Sequence, residues 1–260
     1  MVCVQGLIAM SRYVRDLVTA ENFAHFNDIS HRFAEAFWPG PLTLVLPAKV
    51  SAISPAVTAG LPTIALRVPS DPTFRAVLSA CSFPLAAPSA NQSGRVSPSK
   101  AEHVLSDLGN SIDMIIDGGD TALGLESTIV AVRNDRWELL RHGPVTVNAL
   151  EDVQFSKMSA TSGHVIEAPG QLGRHYYPGK PVRLDANIVS NSEFVIGFHD
   201  IEGDINLSRS GDLEEAARRL YICLHAAANS QKTGIAVAPI PSFSIGQAIN
   251  ERLIRASTAI

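Results

Sequence analysis

The sequence is poor in cysteine and has no long apolar run. Its three cysteines, Cys3, Cys81 and Cys223, are far apart and form no Cys-x-x-Cys pair, which excludes a disulfide framework and a zinc knuckle. A reducing compartment, the cytoplasm, is therefore predicted. No apolar run approaches the roughly 18 residues that a membrane-spanning helix needs, so no membrane association is expected.

Clustered basic residues are also missing. The 21 lysines and arginines and the 25 acidic residues give a net charge of −4, and no basic cluster is present that would follow a nucleic-acid backbone. Walker A, Gly-x-Gly-x-x-Gly, His-Glu-x-x-His and Gly-x-Ser-x-Gly motifs are absent as well. What the chain has is 260 residues, of which 46% are hydrophobic and 18% charged, enough for one or two globular domains.

Strand and helix patterns alternate without a strict repeat over residues 1–150, which predicts a twisted mixed α/β sheet. Residues 151–180 are predicted to be a linker, although two tyrosines, a histidine and an arginine are unusual in a tether. Residues 181–260 follow a βαβα order and predict a second, smaller domain with a Rossmann-like parallel sheet. Strands are predicted at 6–9, 42–46, 63–69, 83–86, 112–116, 125–132, 137–141, 194–198 and 234–240, and helices at 19–37, 72–80, from 97 to 108, 212–228 and 245–256.

The most informative stretch is residues 84–97, PLAAPSANQSGRVS. A Pro-Ser-Ala-Asn turn after an apolar strand presents a hydroxyl, an amide and backbone N–H groups, which are the donors that anions bind. The alternative is an ordinary loop, because these residue types are common in turns. Asp117 and Asp120 lie in another turn, where a solvated role is favoured over a cation site.

Polar residues also lie at the ends of other predicted strands. Ligands of open α/β sheets collect beyond strand ends, and paired arginines suit phosphate and carboxylate groups. Arg67 is open to two interpretations, a solvated edge residue or a ligand clamp. No nucleophile–base pair accompanies the set, which favours positioning and charge stabilisation, as in phosphoryl or nucleotidyl transfer. The set is Thr63, Arg67, Ser89, Asn91, Ser127 and Arg141.

Several longer motifs occur in one order along the chain. They are FWPGPLTLVL, TIALRVPSDP, PLAAPSANQSGRVSPS, LGLESTIV and LLRHGPVT. Together they resemble the YrdC-like domain of threonylcarbamoyl-AMP synthases. Beyond them, GRHYYPGKPV and NLSRSGDLEEAARRLYICLHA resemble the C-terminal domain of the two-domain members. The resemblance covers nearly the whole chain.

The resemblance implies a nucleotidyltransferase that condenses L-threonine, bicarbonate and ATP into threonylcarbamoyl-AMP and releases pyrophosphate. The product serves N6-threonylcarbamoylation of adenosine 37 in tRNA, which also connects the chain to tRNA or to the downstream threonylcarbamoyl transferase. Mg²⁺ is expected with ATP, and no metal ligands are assigned to the protein. A non-enzymatic RNA-binding YrdC-like module is the alternative, against which the negative charge argues.

Residue roles follow from the same motifs. For ATP they imply Thr63, Ser89, Asn91, Ser97 and Arg141. For threonine they imply Arg67, Ser127 and the backbone of Ala87. In the linker, Arg174, His175 and Tyr176 match a motif that caps the cleft in the family.

The sequence departs from the family at its start. Family members carry about sixty further N-terminal residues, including a PTETVYGLG-like strand and a Lys-x-Arg motif, both absent here. Gly6 and Met10 replace the proline and histidine of an NPLI-x-His element. We expect activity of this chain to be strongly reduced or absent, because the triphosphate site would lack a central strand and a pair of cationic side chains, and charge left uncompensated in a cleft is costly. A start codon assigned too late, or a fragment of an active enzyme, is favoured as the explanation over a natural short form or a pseudogene product.

Overall fold

The computed structural model describes residues 11–49, 58, 60–154, 175–188 and 190–258. Two compact units make up the chain, Met1–Pro88 with Glu126–Leu172 and Ser89–Leu125 with Gly173–Ile260. In chain order the elements are β1 (Ser11–Tyr13), α1 (Leu17–Glu21), α2 (Asp28–Phe37), β2 (Leu42–Pro47), β3 (Thr63–Arg67), α3 (Pro72–Ala80), β4 (Leu85–Ala87), α4 (Ala101–Leu108), β5 (Thr128–Arg133), β6 (Arg136–Arg141), α5 (Val147–Gln154), β7 (Val182–Arg183), β8 (Glu193–Gly197), β9 (Ile205–Asn206), α6 (Leu213–Asn229), β10 (Gly234–Val237) and α7 (Gly246–Ser257).

Each unit is built on one sheet. The first unit has six strands in the order β4-β1-β3-β2-β5-β6. The β1–β3 and β2–β5 pairs are parallel and the other three are antiparallel. The second unit has four parallel strands in the order β7-β10-β8-β9. The predicted mixed α/β sheet and the separate parallel sheet are therefore both confirmed.

The two faces of the first sheet differ in what they bury. Successive strand residues point to opposite faces, so Leu42, Leu44 and Leu46 share one face and Thr43 and Val45 the other. The leucine face joins a large core with side chains of α1, α2 and α5. Among the described residues, the other face buries a smaller cluster of Val45, Ala65, Ile129 and Ala131, with Leu140 packed against it. That face therefore has room for polar side chains.

The second unit is organised around α6. Asp212 begins this helix, because its Oδ1 accepts hydrogen bonds from the backbone N–H groups of Glu214 and Glu215 at 2.7 and 3.1 Å, as an N-cap does. One side of α6 is fully buried through Ala217, Leu220 and Leu224 and packs with strand residues in one hydrophobic cluster. Among the helices of the described ranges, none has both the length and the hydropathy needed to cross a membrane.

Three local predictions were wrong. The helix predicted over 19–37 is two helices, because the Asn27 side chain accepts from the Ser30 N–H at 3.0 Å and begins a new helix there. Residues 112–116 form no strand, because a strand needs a hydrogen-bonded neighbour as well as an apolar sequence. The helix α4 begins after Lys100 rather than at Ser97. The predicted strand at 6–9 and most of the linker lie outside the described residues.

The two-faced sheet predicts a large difference between Leu44 and an exposed residue of the same unit. Leu44 has no exposed surface, whereas Val18 is 73% exposed. Leu44→Ala should lower the free energy of unfolding by about 3 kcal/mol through the cavity it leaves, and Val18→Ala by less than about 0.5 kcal/mol. Urea denaturation of both variants measures this. Equal effects would contradict the proposed core.

Candidate functional site

Polar side chains gather on the open face of the first sheet. Thr63 and Arg67 flank Ala65 on β3 and therefore share its face. Arg141 at the end of β6 lies opposite Ile129 of β5, and Ser127 precedes that strand on the same side. The structure thus places Arg67, Ser127 and Arg141 at one end of this face. Thr63 pairs with Pro47 and lies on the same face at the other end of β3, away from the other three. Ala87, predicted to act through its backbone, ends β4 and pairs with Ser11 of β1.

Arg67 is held by the backbone of the Pro-Gly-Pro turn. Its Nε donates to the Gly40 carbonyl oxygen at 2.9 Å. A Cβ on Gly40 would lie 2.2 Å from the Phe37 carbonyl oxygen, so only glycine allows this close turn. Among the described residues, Arg67 has no carboxylate within ion-pair distance. Its guanidinium therefore keeps donors for an anion.

The electrostatics of Arg67 are those of an uncompensated cation. Burial lowers the pKa of its guanidinium, and the positive charge of Arg141 lowers it further, while Tyr13 opposes both effects. Arginine stays charged despite such shifts. An anion bound at this position would remove the cost of desolvating the cation.

Arg141 and Ser127 form a buried hydrogen-bonded group. Arg141 Nε and Nη2 donate to the Ser127 carbonyl oxygen at 3.1 and 2.8 Å, and Nη2 also lies 3.3 Å from Ser127 Oγ. Ser127 Oγ is 2.7 Å from Thr43 Oγ1. All three residues are at most 7% exposed. The sequence reasoning missed Thr43, whose only signal was a hydroxyl inside an otherwise apolar strand.

Thr63 carries a buried hydroxyl with an open hydrogen bond. Its Oγ1 is buried and has no partner among the described residues. Leaving a buried hydroxyl unpaired is costly, and native structures pair nearly all such groups. The position therefore suits a ligand that offers an acceptor or a donor.

The Pro-Ser-Ala-Asn turn belongs to the second unit from Ser89 onward. Asn91 Nδ2 donates to the carbonyl oxygens of Gln92 and Arg95 at 2.9 and 3.1 Å, which closes the turn. Asn91 Oδ1 is buried without a partner in the described part of the chain. Ser89 is exposed, whereas Ser97 is buried. Ser89 and Asn91 thus retain polar groups for a ligand.

A stacked histidine pair lies next to Ser97 and was not foreseen. The His103 and His225 rings are 3.8 Å apart at 26°. His103 Nδ1 accepts from the Ser99 N–H at 3.2 Å, and His225 Nε2 lies 3.1 Å from the Ser97 carbonyl oxygen. Burial lowers the pKa of both imidazoles, and the charge of His225 lowers that of His103 further.

The linker motif ends in a buried tyrosine. Tyr176 has no exposed surface and takes a left-handed backbone angle of 66°. Its ring stacks on Tyr221 at 5.6 Å and lies 5.7 Å from the Arg252 guanidinium, while His175 meets it edge-on at 4.0 Å. Tyr176 therefore anchors this part of the chain in the second unit. Arg174 lies outside the described residues, and the capping role of the three stays a prediction.

No metal centre is evident in the part of the chain that the structure describes, where no three His, Cys, Asp or Glu side chains come close enough to hold an ion. In the turn that contains Asp117 and Asp120, both carboxylates already contact other groups of the protein. Asp117 Oδ1 accepts from the Gly119 N–H at 2.8 Å, and Asp120 pairs with Lys100 at 3.4 Å.

Two family models match the chain. Residues 7–143 match the Sua5/YciO/YrdC model, described as telomere recombination, and residues 145–258 match the threonylcarbamoyl-AMP synthase C-terminal domain. The chain belongs to the threonylcarbamoyl-AMP synthase family. The resemblance stated from the sequence motifs is thereby confirmed.

Relatives and solved structures agree with this assignment. The chain is 36% identical to threonylcarbamoyl-AMP synthase of Bacillus subtilis over 85% of this chain and 70% of the relative. It is 33% identical to threonylcarbamoyl-AMP synthase of Pyrococcus abyssi, over 86% of this chain and 72% of the relative. The structure of P. abyssi Sua5 complexed with L-threonine superposes with a TM-score of 0.86 at 28% identity, covering 98% of this chain and 82% of the other.

The histidine stack predicts a pH-dependent stability of the second unit. Burial lowers both pKa values relative to the unfolded chain, so the unfolded state binds protons more readily. The contribution of the two neutral histidines to the free energy of unfolding should therefore be fully present above about pH 6.5 and should decline as the pH falls below that value. The double variant His103→Gln/His225→Gln should have a flatter stability profile between about pH 8 and pH 5.

Urea denaturation across that range measures the difference between the two proteins. His31, whose pKa is raised chiefly by its hydrogen bond to Glu21, is present in both proteins and cancels in the comparison. Parallel pH profiles would contradict the prediction.

Proposed function

We propose that this chain is a threonylcarbamoyl-AMP synthase that acts on L-threonine, bicarbonate and ATP and releases pyrophosphate. The observation that carries the proposal is the half-buried Arg67 guanidinium, which has no carboxylate partner among the described residues and lies beside the buried Arg141–Ser127 group. An amino-acid carboxylate supplies the missing negative charge. Family membership and the threonine complex of P. abyssi Sua5 support the same substrate.

Threonine would be held by its carboxylate. Nε of Arg67 is engaged by Gly40, which fixes the guanidinium plane and leaves the two terminal nitrogens for paired hydrogen bonds to one carboxylate. The Ser127 hydroxyl is proposed to add a third hydrogen bond. Ala87 is proposed to line this site through its backbone.

ATP is proposed to contact Thr63 and Arg141 of the first unit. The unpartnered Thr63 Oγ1 suits a phosphate or ribose oxygen, and Arg141 adds positive charge. The same role is proposed for Ser89, Asn91 and Ser97. Mg²⁺ is proposed to arrive with ATP, where it would neutralise phosphate charge, since the described residues offer no acidic cluster of their own.

The reaction needs positioning more than covalent help from the protein. The threonine amine and bicarbonate give a carbamate and water. A carbamate oxygen then attacks the α-phosphorus of ATP, and pyrophosphate leaves with the electrons of the broken P–O bond. Arginines aligned with the growing negative charge stabilise such a transition state. A cytoplasmic location, with tRNA or the downstream transferase receiving the product, belongs to the same proposal.

Replacing Arg67 tests the proposal. Arg67→Met should raise the Kd for L-threonine about 100-fold, because a charge-assisted pair is lost, and Arg67→Lys should recover part of the affinity. ATP binding should stay near the wild-type value. Calorimetric titration with each ligand measures both constants, and threonine-dependent pyrophosphate release measures the activity.

Arg136→Met is the matched control, because Arg136 lies at the exposed start of β6. Wild-type protein that neither binds threonine nor releases pyrophosphate in response to it would overturn the proposed function. Wild-type affinity in Arg67→Met would overturn only the role of Arg67.

A further inference from the structure

Thr43 is a buried residue that the proposed contacts with substrate leave unused. It lies in β2 with no exposed surface, between the apolar residues Leu42 and Leu44. Its Oγ1 lies 2.7 Å from Ser127 Oγ, and this is its one side-chain hydrogen bond among the described residues. A buried hydroxyl costs free energy unless it is bonded, so Thr43 depends on Ser127.

The direction of this hydrogen bond follows from the partners available. In the described part of the chain, Ser127 Oγ is the one hydrogen-bond partner of Thr43 Oγ1, and a buried O–H left unpaired is expensive. Thr43 therefore donates and Ser127 accepts. Arg141 Nη2, at 3.3 Å, has no acceptor capacity and can only donate to the same oxygen.

Only the hydroxyl hydrogen of Ser127 then remains available for a further hydrogen bond. A serine hydroxyl has two acceptor lone pairs and one hydrogen. With Thr43 and Arg141 as donors, both lone pairs are used, and the hydrogen is available for an acceptor on the ligand. Without Thr43, the hydroxyl could rotate and offer a lone pair instead, which a carboxylate repels.

We propose that Thr43 is a positioning residue that fixes the Ser127 hydroxyl as a hydrogen-bond donor to the carboxylate of the threonine substrate. The inference rests on the proposed function, since it takes threonine as the ligand of Arg67 and Ser127. Thr43 itself does not touch the substrate. It acts through the orientation of one hydroxyl.

The test compares Thr43→Val, which keeps the shape of the side chain and loses the hydroxyl, with Thr43→Ser, which keeps the hydroxyl. Thr43→Val should raise the Kd for L-threonine about tenfold and leave the Kd for ATP unchanged. Thr43→Ser should bind both ligands within about twofold of wild type. Calorimetry gives the constants, and thermal unfolding confirms that each variant is folded.

Two further measurements separate positioning from general packing. In the Ser127→Ala background, adding Thr43→Val should cause no further loss of threonine affinity, because the hydroxyl it orients is gone. L-threoninol has no carboxylate, so the Thr43→Val protein and the wild-type protein should have the same Kd for L-threoninol. Thr43→Ala serves as a second hydroxyl-free variant if Thr43→Val does not fold.

The inference is overturned by unchanged threonine affinity in a folded Thr43→Val or Thr43→Ala variant. It is equally overturned by parallel losses for threonine and ATP, or by additive losses in the double variant. Failure of the wild-type protein to bind threonine would overturn the proposed function, and this inference with it. Threonine binding by wild type with no effect of Thr43 would overturn this inference alone.

Discussion

The two-residue alternation of β2, β3 and β5 is the constraint on which the candidate site depends. One set of positions, Leu44, Leu66 and Val130 among them, is fully buried in the large core and supplies most of the hydrophobic stabilisation. The alternate set is dominated by small side chains, with Ala65 and Ala131 in the centre. Because the core face already fixes the register of the strands, the opposite face can hold polar groups without determining the fold.

The cost of burying these polar side chains is offset in different ways. Ser127 and Arg141 satisfy each other with hydrogen bonds of 2.8 to 3.3 Å, which offsets the cost of their burial. Arg67 has one backbone carbonyl and no described carboxylate, so its charge stays uncompensated until an anion binds. The Ser127–Arg141 group is therefore satisfied without a ligand, whereas the charge of Arg67 has no carboxylate partner among the described residues.

Sequence reasoning singled out Arg67, Ser127 and Arg141 as candidates because they are charged or hydroxyl residues at the ends of apolar strands. It missed Thr43, because threonine is a common strand residue and its burial depends on Ser127, far along the chain. The strand predicted at 112–116 was wrong for the same reason, because an apolar pattern does not show whether a neighbouring strand is available. Met114 in this segment is 75% exposed. The burial of Tyr176 likewise requires Tyr221 and Arg252, which no local pattern in the linker predicts.

The charge arrangement also bears on the nucleophile of the proposed reaction. A threonine amine must lose its proton before it can form a carbamate, and nearby positive charge favours that loss. Arg141 already lowers the pKa of the Arg67 guanidinium, so both cations act on one small region. In the proposed complex the substrate carboxylate would neutralise Arg67, and the positive charge of Arg141 would still disfavour the ammonium form of the amine. The residues proposed to hold threonine would thus also help to deprotonate it, which is consistent with a site that contains no dedicated base among its described side chains.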